Sequence, residues 1–210
     1  MSTSLARRER HDLCDLALEV GADAPTRCGE WTVKQLVAHL LVREHRPWAA
    51  AGIIIPPLAG LTERSMERMA RRDFGVLVEK LRDPGLNVYR LPPAEVMLNT
   101  LEYLVHHEDI RRAVPGWEPR ELPDADLGLI WRLGRGSGKL MARRLGVPVR
   151  IRRSDTGAEA VLASGDDPVV VTGPPVEVVL FLFGRGYARD LTFDGPTERV
   201  AAVKGADLGF

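Results

Sequence analysis

Apolar residues recur at helical spacing through the first half of the chain and give way to short alternating runs in the second. Leu5, Leu13, Leu16, Ala17 and Val20 lie on one side of a predicted helix over 4–20, and Gly21 suits its end. Residues 24–30 read as a loop. Thr32-Val-Lys-Gln35 then has the Thr-x-x-Gln form of a capping box, in which two orphan amides are satisfied reciprocally. Val33, Leu36, Val37, Leu40 and Leu41 form the apolar stripe of this second helix, which is predicted to reach about Ala51, with Pro47 as a kink or boundary. Residues 54–61 read as a connection. A third helix is predicted over 62–81, closed by Asp83-Pro84-Gly85. Pro92-Pro93 opens a fourth, running through Arg112 and stopping before Pro115-Gly116.

After Pro119-Arg-Glu-Leu-Pro123 the pattern changes. Residues 124–145 read as a helix weakened by Gly128, Gly134, Gly136 and Gly138. Residues 147–153 alternate apolar and basic positions, as a half-buried strand does; 158–163 and 168–172 are two further strand candidates. Gly165-Asp-Asp167 between them is turn chemistry. Thr172-Gly-Pro-Pro-Val-Glu177 looks like a helix start. The following 178–183 reads as a buried helix, its β-branched content leaving a strand open. The expected architecture is mainly α with α+β: a four-helix bundle over 1–120, then a small α+β domain over 121–210.

Composition changes this picture little. Among the 210 residues, 45% are hydrophobic and 28% charged, and 29 Lys plus Arg balance 29 Asp plus Glu. There is no global electrostatic pull toward nucleic acid or an anionic membrane. The two cysteines, Cys14 and Cys28, make no disulfide framework, so a reducing compartment is expected. The first ten residues lack the apolar core of a signal peptide, and the apolar stretch around 48–59 contains two prolines and is too short to span a bilayer. The expectation is a cytoplasmic protein.

The candidate chemistry lies on the second and fourth helices. Glu102 and His106 are four residues apart, about 40° around a helix, so they can point at one spot. His39 borders the apolar stripe of its own helix and can complete a three-ligand metal site. Three protein donors with an open position make a catalytic centre, whereas four make a closed structural one. The same helical geometry selects His106 over His107, about 140° from Glu102, as the inward imidazole. Asp109 is the candidate to hold a ligand imidazole by its other N–H. Plainer readings stay open: Glu102 with His106 as an exposed ion pair, His39 as a satisfied core histidine, Asp109 as a surface acid pairing with Arg111 or Arg112. Arg43 shares the face of His39 and can approach an anionic ligand, or form a surface ion pair. Cys28 precedes the second helix with no histidine predicted near it, and Trp31 reads as a packing residue. Gly134-Arg-Gly-Ser-Gly138 has no strand leading into it, as a phosphate-cradling loop would need.

The order Pro25-Thr-x-Cys-Gly-x-Trp31-Thr-Val-x-x-Leu-x-x-His39-Leu, followed by Glu102-x-x-x-His106-x-x-Asp109, resembles the mycothiol-dependent maleylpyruvate isomerase family of DinB-like metal-binding bundles. Val171-Thr-Gly-Pro-Pro-x-Glu-x-x-x-Phe-Leu-Phe-Gly-Arg185 resembles the small α+β domain that follows the bundle there. The resemblance implies that His39, Glu102 and His106 ligate a divalent metal, above all zinc. It implies mycothiol, a small thiol of actinobacteria, as cosubstrate, held as a metal-bound thiolate that attacks an electrophilic carbon. It also implies that Arg185 holds an anionic substrate; the plainer role for Arg185 is capping carbonyls at a helix end. The chain departs from the family in being short and in reading Val105-His-His-Glu-Asp109 where relatives often have His-x-Trp-Asp. It therefore resembles an uncharacterised metal-binding subgroup more than the isomerase itself. A thiol S-transferase or isomerase, monomeric or homodimeric, is the first expectation. A non-catalytic metal- or small-ligand-binding module is the second.

Overall fold

A computed structural model describes residues 4–45, 59–85, 95–206 and 208, which fall into two compact units, 1–119 and 120–210. In the first unit, α1 (Leu5–Val20) starts at Ser4, whose hydroxyl accepts from the Arg7 amide. Its C-terminal Gly21 has φ +91°, a conformation that favours glycine. Helix α2 (Val33–His45) begins with the predicted capping box: the Thr32 amide donates to Gln35 Oε1 at 2.8 Å, and the Gln35 amide to Thr32 Oγ1 at 3.4 Å. The predicted extension of α2 through Pro47 lies outside the described residues.

The single helix expected over 62–81 is two, α3 (Ala59–Ala70) and α4 (Phe74–Arg82). Asp73 caps the second by accepting from the Val76 amide at 3.0 Å. An aspartate three residues before an apolar run was the signal for this break. The fourth helix opens with a π-helical turn, Glu95–Asn99, and continues as α5 (Thr100–Arg111); its predicted start at Pro92-Pro93 lies outside the described residues. Helix α1 packs on α5 and α4, and α2 packs on α3 and α4. Leu13, Ala17, Leu36, Val37, Leu40, Leu41, Leu77, Leu81 and Tyr103 meet in a fully buried core.

The second unit carries α6 (Asp124–Ala142), which ends in a 3₁₀ turn at Arg143–Leu145. A four-stranded sheet follows, formed by β1 (Val149–Arg153), β2 (Glu159–Ala163), β3 (Val169–Gly173) and β4 (Thr192–Asp194) in the order β2-β1-β3-β4. β1 runs antiparallel to β2 and parallel to β3, with Ile151 opposite Val171, and β4 is antiparallel to β3. Helix α7 (Pro175–Leu182) settles the open assignment of 178–183 as helix, and α8 (Thr197–Gly205) closes the unit. Strand β4 and α8 were not anticipated from the sequence.

The glycines of α6 that weaken its helical signal have a packing purpose. A Cβ at Gly134 would lie 2.6 Å from Val179 Cγ2, and one at Gly138 2.9 Å from Leu182 Cδ1. Small residues let α6 and α7 approach closely. Gly136 meets nothing within 4 Å. Gly136→Ala should therefore stabilise the unit by up to about 1 kcal/mol, the helix-propensity gain. Gly134→Ala should destabilise it by about 1–2 kcal/mol, because overpacking outweighs that gain. Denaturant midpoints of the two variants check the opposite signs.

Cys14 is fully buried in the first unit, where its thiol donates to the Val78 carbonyl at 3.7 Å. Burial pushes the thiol up to about 12, although Arg82 and Arg10 pull the other way. The unfolded chain ionises near pH 8.5 and the folded one does not, so this thiol favours folding below that pH. Its contribution should be lost as pH rises toward 12, by roughly 1.4 kcal/mol per pH unit. Urea melts of wild type and Cys14→Ala between pH 8 and 11 should show the shallower loss in the variant.

Candidate metal centre

The α2 stripe that buries Leu36 and Leu40 carries His39 at its edge, and α5 brings Glu102 and His106 on the same turn. Glu102 Oε1 lies 3.4 Å from His39 Nε2 and 3.5 Å from His106 Nε2. All three donor atoms fall within 4.8 Å of one another. Two ligands on a tetrahedral zinc, each bonded at about 2.05 Å, are separated by about 3.3 Å. The two separations that involve Glu102 are close to that value, and the cluster offers two imidazole nitrogens and one carboxylate oxygen. Both imidazoles are 6% exposed, and their rings meet edge to face at 5.2 Å. Trp31 lies on the other side of His39, 4.9 Å between ring centroids, and also packs against the core.

Glu102 is held as a carboxylate. Burial opposes its ionisation, but the Arg43 guanidinium and hydrogen bonds from His106 and His39 keep its pKa well below the ordinary range. Arg43 Nε lies 3.4 Å from Glu102 Oε1. Its other nitrogens donate to Asn99 Oδ1 at 2.9 Å and to the Leu98 carbonyl. Both acceptors belong to the π-helical turn, where the change in hydrogen-bond register lets a carbonyl serve a side chain. Asn99 Nδ2 in turn donates to Glu44 Oε1 at 3.3 Å. Glu44 also accepts from Tyr103 at 2.8 Å and from the Arg10 fork. A buried polar network therefore supports the carboxylate from behind.

The two imidazoles differ. Burial lowers His39, a hydrogen bond to Glu102 only partly opposing it. For His106 burial also acts downward, but Asp109, Cys28 and Glu102 outweigh it and hold the pKa well above its usual value. Asp109, fully buried, places Oδ2 2.9 Å from His106 Nδ1. An ionised Asp109 accepts that N–H, which fixes the tautomer and leaves Nε2 for the side shared with His39 and Glu102.

Several expectations change. His107 was expected to point outward, yet it is 5% exposed and its Nδ1 lies 2.8 Å from Glu9 of α1. Helix α5 is covered around most of its circumference, so a single buried stripe was the wrong premise. The plainer reading of Asp109 as a surface acid fails for the same reason. It is Glu108 that takes the arginines, Arg112 at 2.6 Å and Arg111 at 3.0 Å. The loop before α2 places Cys28 at His106, where no histidine was expected, because the Arg27 amide and guanidinium are tied to the Asp109 and Arg112 carbonyls at 2.8 and 2.9 Å. Asn99, Glu44, Arg10 and Tyr103 were not recognised, since their signal is mutual distance and not spacing along the chain. Arg185 belongs to the second unit. It donates to the Phe183 carbonyl at 2.9 Å and lines a pocket of about 320 Å³ there with Lys204, Phe181 and Phe193.

This electrostatic arrangement fixes how a metal should depend on pH. His39 and Glu102 are already in their ligating forms near neutrality, whereas His106 keeps a second proton up to its raised pKa. That Nε2 proton must leave on binding. The zinc association constant should rise about tenfold per pH unit below the His106 pKa and level off above it. Asp109→Asn removes the strongest upward influence and should move the break to lower pH. Calorimetry in buffers of different ionisation enthalpy, which counts the released proton, checks both.

The family model described as Mycothiol maleylpyruvate isomerase N-terminal domain matches residues 5–101. Among solved structures, the "Crystal structure of the mycothiol-dependent maleylpyruvate isomerase" is similar over 90% of this chain and 90% of that one, with 17% identity and a TM-score of 0.60. At that identity the likeness is one of fold. No curated protein sequence matches the chain significantly. No described helix is long and apolar enough to cross a membrane. The family match thus covers 97 of the 210 residues, all within the first unit.

Proposed function

We propose that the protein is a divalent-metal-dependent enzyme that uses a small thiol, mycothiol, against an electrophilic substrate, as an isomerase or an S-transferase. The observation that carries this reading is the convergence of His39 Nε2, His106 Nε2 and Glu102 Oε1 within 4.8 Å. Two imidazoles and one carboxylate suit zinc. When bound, such an ion supplies Lewis acidity and stabilises a thiol as its thiolate.

The chain's own residues prepare that position. Asp109 keeps one His106 proton on Nδ1, so Nε2 is the nitrogen that gives up its proton to an ion. Arg43 keeps Glu102 charged, and the Asn99 and Leu98 contacts keep Arg43 in place. Trp31 shields one side of His39 from water. Asp109 lies against Nδ1 of His106, the far nitrogen, so it supplies no fourth donor beside Nε2. That favours an open position over a closed structural site. Arg185 is proposed to hold an anionic group of the substrate, and Arg43 to do so only while sharing its charge with Glu102. The reaction class is addition of a thiol sulfur to an electrophilic carbon. Elimination after bond rotation gives isomerisation, and retention of the adduct gives S-transfer.

The rival reading, a non-catalytic binding module, predicts metal without thiol chemistry. His106→Ala and His39→Ala should each lose more than 90% of the zinc measured by elemental analysis. Both should also lose thiol-dependent consumption of an electrophile such as maleylpyruvate. Arg185→Ala should keep its zinc and lose turnover. Zinc retained in His106→Ala would overturn the ligand assignment. Full zinc content with no effect of added thiol would favour the module.

A further inference from the structure

His106 has two ring nitrogens, and the first metal position uses one. The other meets Asp109, and Cys28 lies beside the same ring. Cys28 Sγ, a His106 ring nitrogen and an Asp109 carboxylate oxygen all lie within 4.8 Å of one another. Asp109 Oδ2 is 2.9 Å from Nδ1, and Asp109 is fully buried.

The place of Cys28 is built, not accidental. Pro25 and Thr32 pair as an antiparallel bridge, which closes the loop. Within it the Cys28 amide donates to Thr26 Oγ1 at 3.2 Å, and the Trp31 amide donates to the Cys28 carbonyl at 3.2 Å. Gly29 takes the left-handed turn with φ +59°. Arg27 then ties this loop to the C-terminal end of α5 through the Asp109 and Arg112 carbonyls. Loop and helix end are fixed on each other, with the thiol against the imidazole. Cys28 is only partly buried, which leaves a path from solvent.

We propose that Cys28, His106 and Asp109 form a second cation site, selective for thiophilic ions, and that it excludes occupancy of the first. Selectivity follows from the donors. A thiolate favours soft ions such as cadmium, whereas two imidazoles and a carboxylate favour zinc-like ions. Exclusion follows from the imidazole. A neutral ring has one lone pair. An ion on Nε2 leaves the proton on Nδ1, donated to Asp109. An ion on Nδ1 leaves the proton on Nε2, facing Glu102. From the doubly protonated ring, an ion on Nδ1 displaces the Nδ1 proton to solvent and leaves the Nε2 proton in place, and the Cys28 thiol proton also leaves to solvent as the metal–sulfur bond forms. The second site does not need the first to be a working enzyme centre, although the two share His106.

The test uses cadmium alone as the probe. In the double variant His39→Ala/Glu102→Gln, one cadmium per chain should bind and produce the ultraviolet thiolate-to-cadmium charge-transfer band. Cys28→Ser should lose that band entirely and still bind one cadmium through the first triad. Wild type should saturate at one cadmium, not two. His39→Ala replaces the double variant if circular dichroism shows that the latter has not folded. Absence of the band in a folded variant that retains Cys28 would overturn the site. So would an equal band in Cys28→Ser, since Cys14 is then the ligand. Two cadmium ions per wild-type chain would overturn the exclusion. Zinc content and thiol-dependent turnover of Cys28→Ser report on the first triad separately, so failure of one reading leaves the other standing.

Discussion

Helix α5 buries more ionisable and polar groups than a core helix can carry unless each is answered. Asn99, His106, His107, Glu108 and Asp109 are all 6% exposed or less. Removing one partner from a buried ion pair typically costs about 3–5 kcal/mol, because the remaining charge stays desolvated. Each group therefore dictates what stands opposite it: Glu9 of α1 for His107, Arg43 of α2 for Asn99, Asp109 one turn on for His106, Arg112 for Glu108. The His107–Glu9 and Asn99–Arg43 pairings tie α1 and α2 to this helix and its opening turn, and the His39–Glu102–His106 cluster is a product of that placement.

The network behind Glu102 extends the same logic. Arg10 forks onto Glu44 and lies 4.6 Å from the Tyr103 ring centroid, so one cation serves a carboxylate and an aromatic face. Glu44 passes order to Asn99, Asn99 to Arg43, and Arg43 to Glu102. The Glu102 carboxylate is thereby positioned by residues up to three contacts away. Such support is what keeps donor atoms at spacings suited to an ion before any ion is present. The cost of desolvating Glu102 is met by Arg43 and the two imidazoles, which is why it stays charged.

His106 is the pivot of the first unit. Its Nε2 faces donors from α2 and α5, and its Nδ1 faces the loop that precedes α2 and the end of α5. One ring thus stands between two groups of potential donors whose chemistries differ, nitrogen and oxygen in one, sulfur and oxygen in the other.

The helical period, the Thr32–Gln35 capping box and the Glu102–His106 spacing were legible in the amino-acid sequence, because each depends on residues within one or two turns. The change of pattern near Pro119 was visible there too, whereas the meeting of His39 with α5 was only one of the readings its place beside an apolar stripe allowed. The break at Asp73 was carried by a local signal, a helix cap inside an otherwise continuous stripe. The burial of His107 and Asp109, the approach of Cys28 to His106, and the arginine, glutamate and asparagine chain behind Glu102 were not. They depend on how far one helix is rotated against another and on where Arg27 pins a loop. Rotation and loop docking are set by pairing of buried charges distant in sequence, which no periodicity records. Local order was thus written in the chain, and which atoms face each other was decided only when desolvated groups had to find partners.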